Sequence, residues 1–169
     1  MNRVEKRFQS LIRKAKSEHR ANISNDGSIN ISLKRLKIFG SIDIIIMLWA
    51  LEKKEAESEE WFPFIFKERE EATFLKRDRQ EAAIKHLIKM KVIKMEIRGF
   101  PLKPYFKINW QMLEDLDVAY ALFTNEKYKK RMEFFAPDSI AGQQKAVHDL
   151  YKRYANIFYE NHDILLLYS

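Results

Sequence analysis

The sequence contains no cysteine, and only four glycines and four prolines among its 169 residues. A chain without cysteine can form neither a disulfide framework nor a thiolate metal site, which favours a reducing, cytoplasmic compartment. A long hydrophobic run is also missing, because the longest apolar stretch, IIIMLWAL at 44–51, is too short to span a bilayer. We therefore expect a cytoplasmic protein that does not enter a membrane.

Motifs that carry enzyme chemistry are also lacking. The chain has no glycine-rich phosphate loop and no nucleophile motif. Its four histidines, at positions 19, 86, 148 and 162, lie far apart and show no metal-ligand spacing. The sequence therefore predicts a protein that is not an enzyme and that holds no metal and no cofactor.

Positive charge is abundant and unevenly distributed. The formal net charge is +7, and hydrophobic residues make up 46% of the chain, which is enough for a packed core. Residues 1–40 carry ten Lys or Arg against three Asp or Glu, and residues 76–98 carry eight bases against three acids. Residues 52–71 instead hold eight acids and four bases. The pattern predicts separate basic and acidic surfaces, and the basic one favours a polyanion such as nucleic acid.

The first third of the chain predicts a helix, a strand and a second helix. Apolar residues recur at helical spacing over residues 2–20, which indicates an amphipathic helix. The turn-forming sequence NDG at 25–27 precedes apolar residues at 29, 31 and 33 that alternate with polar ones, so a short hairpin or lone strand is expected. From Ser41 the sequence SIDIIIMLWALEKK is apolar almost all round, and Ser41 and Asp43 can cap its start. This segment predicts a central buried helix.

Two short helices separated by a tight turn are predicted in the middle of the chain. WFPFIF at 61–66 indicates a short edge strand, because Pro63 has no N–H to give to a ladder. KEREEATFL and RDRQEAAIKHLIKMK then predict two helices, the first with Ala72 and Leu75 inward. The residues expected to face inward on the second are Ile84, Leu87, Ile88 and Met90. This arrangement is typical of a helix-turn-helix.

A β-hairpin is predicted directly after the second helix. VIKMEIR at 92–98 and YFKI at 105–108 both alternate apolar and polar residues on either side of GFPLKP, so the two segments should pair. Gly99 can take the unusual backbone angles of the turn, and Pro101 and Pro104 stiffen the loop. Such a hairpin is the wing of a winged helix.

The C-terminal third predicts further helices. Asn109 should cap a helix that continues to about Leu122, and a last helix is expected near residues 139–159. The stripe expected on that last helix consists of Val147, Leu150, Tyr151, Tyr154 and Phe158. Because many helix-turn-helix proteins read two half-sites as dimers, this stripe is also a hypothesis for a homodimer interface.

The segment from Trp61 to Trp110 resembles the winged helix-turn-helix modules of phage and plasmid replication proteins, including the DnaD-like group. In those modules an aromatic strand leads into the first short helix. The recognition helix ends in a KxLxxxxxI-like run and the wing closes with a YYxIN-like strand, to which KHLIKMKVI at 85–93 and YFKIN at 105–109 are similar. SINISLKRLKIFGSIDIIIMLWAL also resembles their usual entry, so the resemblance covers roughly residues 28–115.

These observations together predict a mostly helical α+β fold, a winged helix-turn-helix with added N-terminal and C-terminal helices. We expect three parts: an amphipathic helix and turn at 1–27, the winged-helix domain at 28–124, and a helical extension at 125–169. The resemblance implies binding of double-stranded DNA in replication initiation or transcriptional regulation of a phage, a plasmid or a similar element.

The same resemblance implies where DNA would lie. In a winged helix bound to a duplex, the second helix enters the major groove and the wing lies along a neighbouring groove or the backbone. The residues expected nearest base edges are Lys76, Arg77, Arg79 and Gln80, with Lys85 and Lys89 further along the helix. Those expected on the wing are Arg98, Phe100, Lys103 and Lys107, with Phe100 either wedged in a minor groove or folded back on its hairpin.

The same residues also allow interpretations that do not involve DNA. The cations can form an ordinary solvated surface, and Glu81 can pair with Lys85 along its helix instead of contacting a base. A winged helix can also lose its DNA-binding face and act as a scaffold. In that alternative the acidic segment at 52–71 and the C-terminal helix would dock a protein partner of the replication or transcription machinery.

Overall fold

The computed structural model describes residues 1–17, 31–55 and 60–168, with side chains to Ala15 in the first range and to His162 in the last. Within these ranges the helices are α1 Arg3–Ser17, α2 Leu33–Phe39, α3 Ile42–Glu55, α4 Phe66–Thr73, α5 Arg77–Lys89, α6 Trp110–Thr124, α7 Glu126–Glu133 and α8 Lys145–Tyr168. The strands are β1 Phe62–Pro63, β2 Ile93–Arg98 and β3 Lys103–Ile108. A mostly helical α+β protein is therefore confirmed.

The chain divides into two compact units. The first consists of residues 1–22 and 113–169, and the second of residues 23–112. We call them the terminal-helix unit and the central unit. None of the described helices combines the length and the apolar character that crossing a membrane requires.

The central unit contains the predicted hairpin and edge strand. β2 and β3 pair antiparallel from Ile93 opposite Ile108 to Arg98 opposite Lys103. β1 pairs with the other side of β3, so the sheet order is β1-β3-β2 and Pro63 lies on an edge strand. Gly99, at the turn of the hairpin, has a φ of 85°. The hairpin, the position of Pro63 and the use of Gly99 are confirmed, because each follows from local turn chemistry and strand alternation.

Helix α3 is the centre of this unit's core. Its buried side chains are Ile44, Ile45, Met47, Leu48, Ala50, Leu51 and Glu52. Each fully buried Leu or Ile contributes on the order of 1.5–3 kcal/mol relative to an exposed one. The buried Glu52 carboxylate accepts hydrogen bonds from Arg35 of α2 at 2.9 and 3.3 Å, which ties α2 to α3. The predicted central buried helix is therefore confirmed.

The strand predicted around residues 29–33 is wrong at its described end. The Ser32 side chain accepts from the Arg35 amide at 3.0 Å and caps α2, which ends at Gly40 with a φ of 70°. The alternating pattern was misleading because Ile31 and Leu33 are exposed, whereas the buried residues of α2 lie at its other end. The predicted turn at 25–27 lies outside the described residues.

Two of the predicted inward positions on α4 and α5 are also wrong. Ala72 and Ile88 are exposed, whereas Leu75, Ile84, Leu87 and Met90 are buried as expected. The buried residues of α4 are Arg69 and Thr73. The Thr73 hydroxyl donates to the Arg69 carbonyl at 2.6 Å and accepts from the Leu75 amide at 3.2 Å. Polar side chains thus form the turn between the two helices.

The terminal-helix unit is held together by aromatic contacts. Phe8 of α1 stacks on Phe135 with ring centroids 4.8 Å apart, so the predicted amphipathic N-terminal helix packs its apolar face here. Tyr120 of α6 meets Phe158 of α8 edge to face at 5.1 Å. Arg153 of α8 donates to Asp115 of α6 at 2.6 Å. These contacts join α1 to the segment that follows α7, and α6 to α8.

The stripe expected on the last helix serves this unit's own core. Val147, Tyr154 and Phe158 are buried, and Leu150 is half-buried. A homodimer formed through these side chains would have to unpack that core.

The expected helix cap at Asn109 is confirmed, because its side-chain oxygen accepts a hydrogen bond from the Met112 amide at 3.1 Å at the start of α6.

Gly142 lies where the backbone approaches too closely for a side chain. A Cβ at this position would overlap the backbone carbonyl of Ala136. We expect Gly142→Ala to lower the free energy of unfolding by about 1–3 kcal/mol, because backbone rather than a flexible side chain must move. Urea unfolding followed by circular dichroism measures this loss. Gln143→Ala, at the exposed neighbouring position, should leave the stability within about 0.5 kcal/mol, and equal stabilities for both variants would contradict the predicted overlap.

Candidate nucleic-acid interface

Helix α5 has a buried face and a charged outer face. Lys76 is its N-cap residue, and the chain leaves the helix through Met90 and Lys91, which has a φ of 62°. The buried residues on α5 are Gln80, Ala83, Ile84, His86 and Leu87. The exposed residues are Arg77, Asp78, Arg79, Glu81, Ala82, Lys85, Ile88 and Lys89. A helical period of 3.6 residues places Asp78, Lys85 and Lys89 near the middle of this outer face, with Glu81 and Ala82 on either side.

Arg77 and Arg79 lie on opposite flanks of the outer face. Residues two positions apart on a helix point about 200° away from each other. The side chain of Arg77 is 67% exposed and that of Arg79 is 59% exposed, so the expectation that both point outward is confirmed. The geometry suits contacts on two sides of the helix rather than two neighbouring contacts at its centre.

Arg79 is held by a carboxylate from another helix. Its Nε donates to Oδ2 of Asp43 at 2.7 Å, and its Nη2 donates to Oδ1 at 2.5 Å. The hydrogen bonds with Asp43, and then the negative charge of Asp43, raise the pKa of Arg79. Any anion that binds Arg79 therefore competes with Asp43 of α3.

The other cations at the start of α5 also lie beside acids. Lys76 Nζ is 2.7 Å from Glu70, and Arg77 Nε is 3.6 Å from Glu81. The Arg77 guanidinium also lies over the Phe66 ring, 4.9 Å from its centroid. The intrahelical partner of Glu81 is thus Arg77 and not the expected Lys85. Such exposed ion pairs are weak and are screened by salt. They reduce the positive potential of this surface without removing it.

Gln80 corrects one of the predicted contacts. It is fully buried and cannot reach a base edge. Its side-chain oxygen accepts from Nε of Arg69 at 2.9 Å, and its amide nitrogen donates to the Leu75 carbonyl at 2.9 Å. Arg69 also donates to the Phe64 carbonyl, and burial lowers the pKa of Arg69. Gln80 therefore joins α4 to α5, and it is a structural residue of the turn.

The cations of the hairpin are exposed and partly paired. Arg98 lies 4.4 Å from the centroid of Trp61 and donates to Glu96 at 2.7 Å. Lys107 Nζ is 4.0 Å from Glu60. Lys103 is exposed. In the part of the chain that the structure describes, neither Lys85 nor Lys103 forms an ion pair, so these two lysines are the most available for an external anion.

The tip of the hairpin carries an exposed apolar surface. Phe100 is fully exposed, so it does not fold back on its own hairpin. Met95, Ile97 and Leu102 are exposed as well, and we call these four residues the wing apolar strip. The alternation in β2 places its apolar residues on one face, but only Ile93 of that face is buried. Strand alternation alone cannot show where along a hairpin the core ends.

A metal centre is not apparent in the described ranges, where no three His, Asp or Glu side chains are placed to hold an ion together. His86, inside α5, is buried, and its burial, followed by the charge of Lys89, lowers the pKa of its imidazole.

Comparison with protein families, curated proteins and solved structures finds no match for this chain. The resemblance to winged-helix replication modules therefore stays a prediction.

Proposed function

We propose that the central unit is a winged helix-turn-helix that binds double-stranded DNA, in replication initiation or transcriptional regulation of a phage, plasmid or similar element. The observation that carries the proposal is the set of exposed cations on α5 and on the β2–β3 hairpin that follows it. This set includes Lys76, Arg77, Arg79, Lys85, Lys89, Arg98, Lys103 and Lys107. Together with the order of two short helices, strand, turn and strand, it suits a helix in the major groove and a wing beside it.

Phosphate contacts dominate this proposed complex. With α5 in a major groove, Arg77 and Arg79 on its two flanks face the sugar-phosphate backbones at the two edges of the groove. The centre of the outer face offers Asp78, Lys85 and Lys89, of which the two lysines can donate to guanine. Phosphate contacts position a protein without reading sequence. We therefore expect modest sequence preference and a strong dependence of affinity on salt.

A second candidate function is protein binding by the same unit. The wing apolar strip favours it, because contiguous exposed apolar residues rimmed by polar ones mark protein interaction sites. In that case the unit is a scaffold for a partner in replication or transcription. The same strip is also compatible with DNA, since apolar side chains beside bases can enter a minor groove.

Duplex binding at two salt concentrations separates these functions. Fluorescence anisotropy with a labelled duplex of mixed sequence should show binding at about 50 mM salt and a loss of at least tenfold in affinity at about 200 mM. A protein-binding scaffold shows no duplex binding at either concentration. Binding that is unchanged by salt would contradict the phosphate-dominated complex.

Substituting the two partners of the Asp43–Arg79 pair should change duplex affinity in opposite directions. Arg79→Ala should weaken duplex binding about fivefold, because one phosphate contact is lost. Asp43→Ala should strengthen it about two- to fivefold, since the guanidinium no longer has to leave a carboxylate. The measurement is the same anisotropy titration at low salt.

Glu133→Ala is the matched control for this pair, because it removes an exposed acid from α7 in the other unit. It should leave duplex affinity within about twofold. The double variant Asp43→Ala with Arg79→Ala should show none of the gain of Asp43→Ala alone. Weaker binding by Asp43→Ala would show that Asp43 supports the interface instead of competing with it.

A further inference from the structure

The terminal-helix unit contains a cavity of about 330 Å³ between α1 and the end of α7. Three cations line it: Arg7 and Lys14 from α1, and Arg131 from α7. Its apolar lining includes Leu11 and Phe135, both buried. None of the described side chains that line it is Asp or Glu. The volume lies in the range of small-ligand sites, and the charges select an anion.

Phe134 gives this cavity an exposed aromatic ring. Its side chain lines the cavity and the residue is 52% exposed, while its neighbour Phe135 is buried against Phe8. The rings of Phe134 and Phe135 meet edge to face at 5.3 Å and 84°. Phe134 is thus supported by a fixed ring and remains accessible. An aromatic side chain in this position can stack on a planar ligand group.

The cations continue beyond the cavity along both helices. Among the described side chains of α1, which end at Ala15, the exposed bases are Arg3, Lys6, Arg7, Arg13 and Lys14, against a single acid, Glu5. On α7, Lys129 and Lys130 precede Arg131. A repeated cationic track matches a polymer with regularly spaced negative charges better than it matches a single small anion.

We propose that this cavity is a binding site for single-stranded nucleic acid. One unpaired base stacks on Phe134, and the flanking phosphates contact Arg7, Lys14 and Arg131. Aromatic stacking beside a basic groove is how proteins hold single strands with little sequence preference. A duplex does not fit, because its bases are paired and stacked and cannot enter a concave site of this size. This site lies outside the central unit and does not depend on the function proposed for that unit.

Anisotropy titration of the full chain with a labelled oligothymidylate of about 15 nucleotides tests the proposal. Phe134→Ala should weaken binding about tenfold, and Phe134→Trp should retain it, because an indole also stacks. Arg131→Ala should weaken binding several-fold and reduce its salt dependence. Circular dichroism of each variant establishes that the fold is retained.

Two matched controls lie in the same unit away from the cavity. Tyr159→Ala removes an exposed aromatic ring of α8, and Lys152→Ala removes an exposed cation of the same helix. Neither should change single-strand affinity by more than about threefold. Phe134→Ala should also leave duplex affinity unchanged, which separates this site from the function proposed for the central unit.

Several results would overturn the proposed site. They are absence of oligothymidylate binding by the wild-type chain, equal affinities for wild type and Phe134→Ala, and equal losses in Phe134→Ala and Tyr159→Ala. Direct binding of thymidine monophosphate or of an acidic peptide that is lost in Phe134→Ala and Arg131→Ala, without any binding of oligothymidylate, would assign the cavity to that other ligand. The proposal would also fail if a duplex displaced the single strand and Phe134→Ala weakened duplex binding as much as single-strand binding.

Discussion

Gln80→Ala should lower the free energy of unfolding by about 3 kcal/mol, although this residue lies on a helix proposed to face DNA. The substitution removes the acceptor of the buried Arg69 Nε and the donor to the Leu75 carbonyl. A hydrogen bond to a charged group contributes about 1.5–3 kcal/mol, and an unsatisfied buried partner adds the cost of its desolvation. Urea unfolding followed by circular dichroism measures the loss.

Glu81→Ala is the matched control for Gln80→Ala. Glu81 is the next residue on the same helix, and its side chain is 67% exposed. We expect a change within about 0.5 kcal/mol for this exposed position. Gln80→Ala should also leave the sequence preference for DNA unchanged under conditions where the variant remains folded. Unchanged stability together with a lost preference for adenine would mean that Gln80 faces DNA instead of the core.

Reversing three lysines of the central unit should reduce duplex affinity on the order of 100-fold or more at about 0.15 M salt. The variant combines Lys85→Glu, Lys89→Glu and Lys103→Glu, and all three positions are exposed. Each reversal removes one proposed phosphate contact with its released counterion and places a carboxylate near the DNA backbone. Anisotropy titrations of wild type and variant against the same duplex give the ratio of affinities.

A second triple variant controls for net charge. Lys129→Glu, Lys145→Glu and Lys152→Glu make the same change in charge at exposed positions of the terminal-helix unit. This control should lose less than about tenfold in duplex affinity, since its effect is long-range and screened. Similar losses in both triple variants would mean that duplex binding follows the overall charge of the chain and not the surface of α5 and the wing.

The sequence predicted the secondary structure of the central unit well where the signal was local. Helices α3 and α5, the β2–β3 hairpin, the turn at Gly99 and the cap at Asn109 each depend on residues close together in the chain. The exposure of Arg77 and Arg79 was predictable from their charge, because arginine is rarely fully buried unless it is paired.

Features that depend on distant residues could not be predicted. Asp43 reaches Arg79 from 36 positions away, and a sequence pattern contains no information on such a contact. Gln80 has a polar side chain on a helix rich in charge, and only the buried Arg69 explains why it points inward. Local alternation at 31 and 33 suggested a strand, but the cap at Ser32 starts a helix whose buried residues lie further along.

The composition of the terminal-helix unit was the least predictable feature. From the sequence we expect the first helix, at 1–27, and the last helices, at 125–169, to be separate additions to the central domain. In the structure they belong to one compact unit. The stacking of Phe8 on Phe135 and the cavity beside it require both ends of the chain. The basic residues of α1 were visible in the sequence as part of the positive charge of residues 1–40, but no sequence pattern placed Phe134 beside them.

An NMR titration of the isotope-labelled chain with a duplex of mixed sequence tests the central claim most directly. Backbone amide signals report which residues contact the ligand, independently of any substitution. We predict that the largest shift changes fall within residues 76–89 and 98–103, and that they reverse when salt is raised. Changes confined to residues 113–168, or no changes at concentrations where duplex binding is detected by anisotropy, would contradict the proposal that α5 and the wing bind DNA.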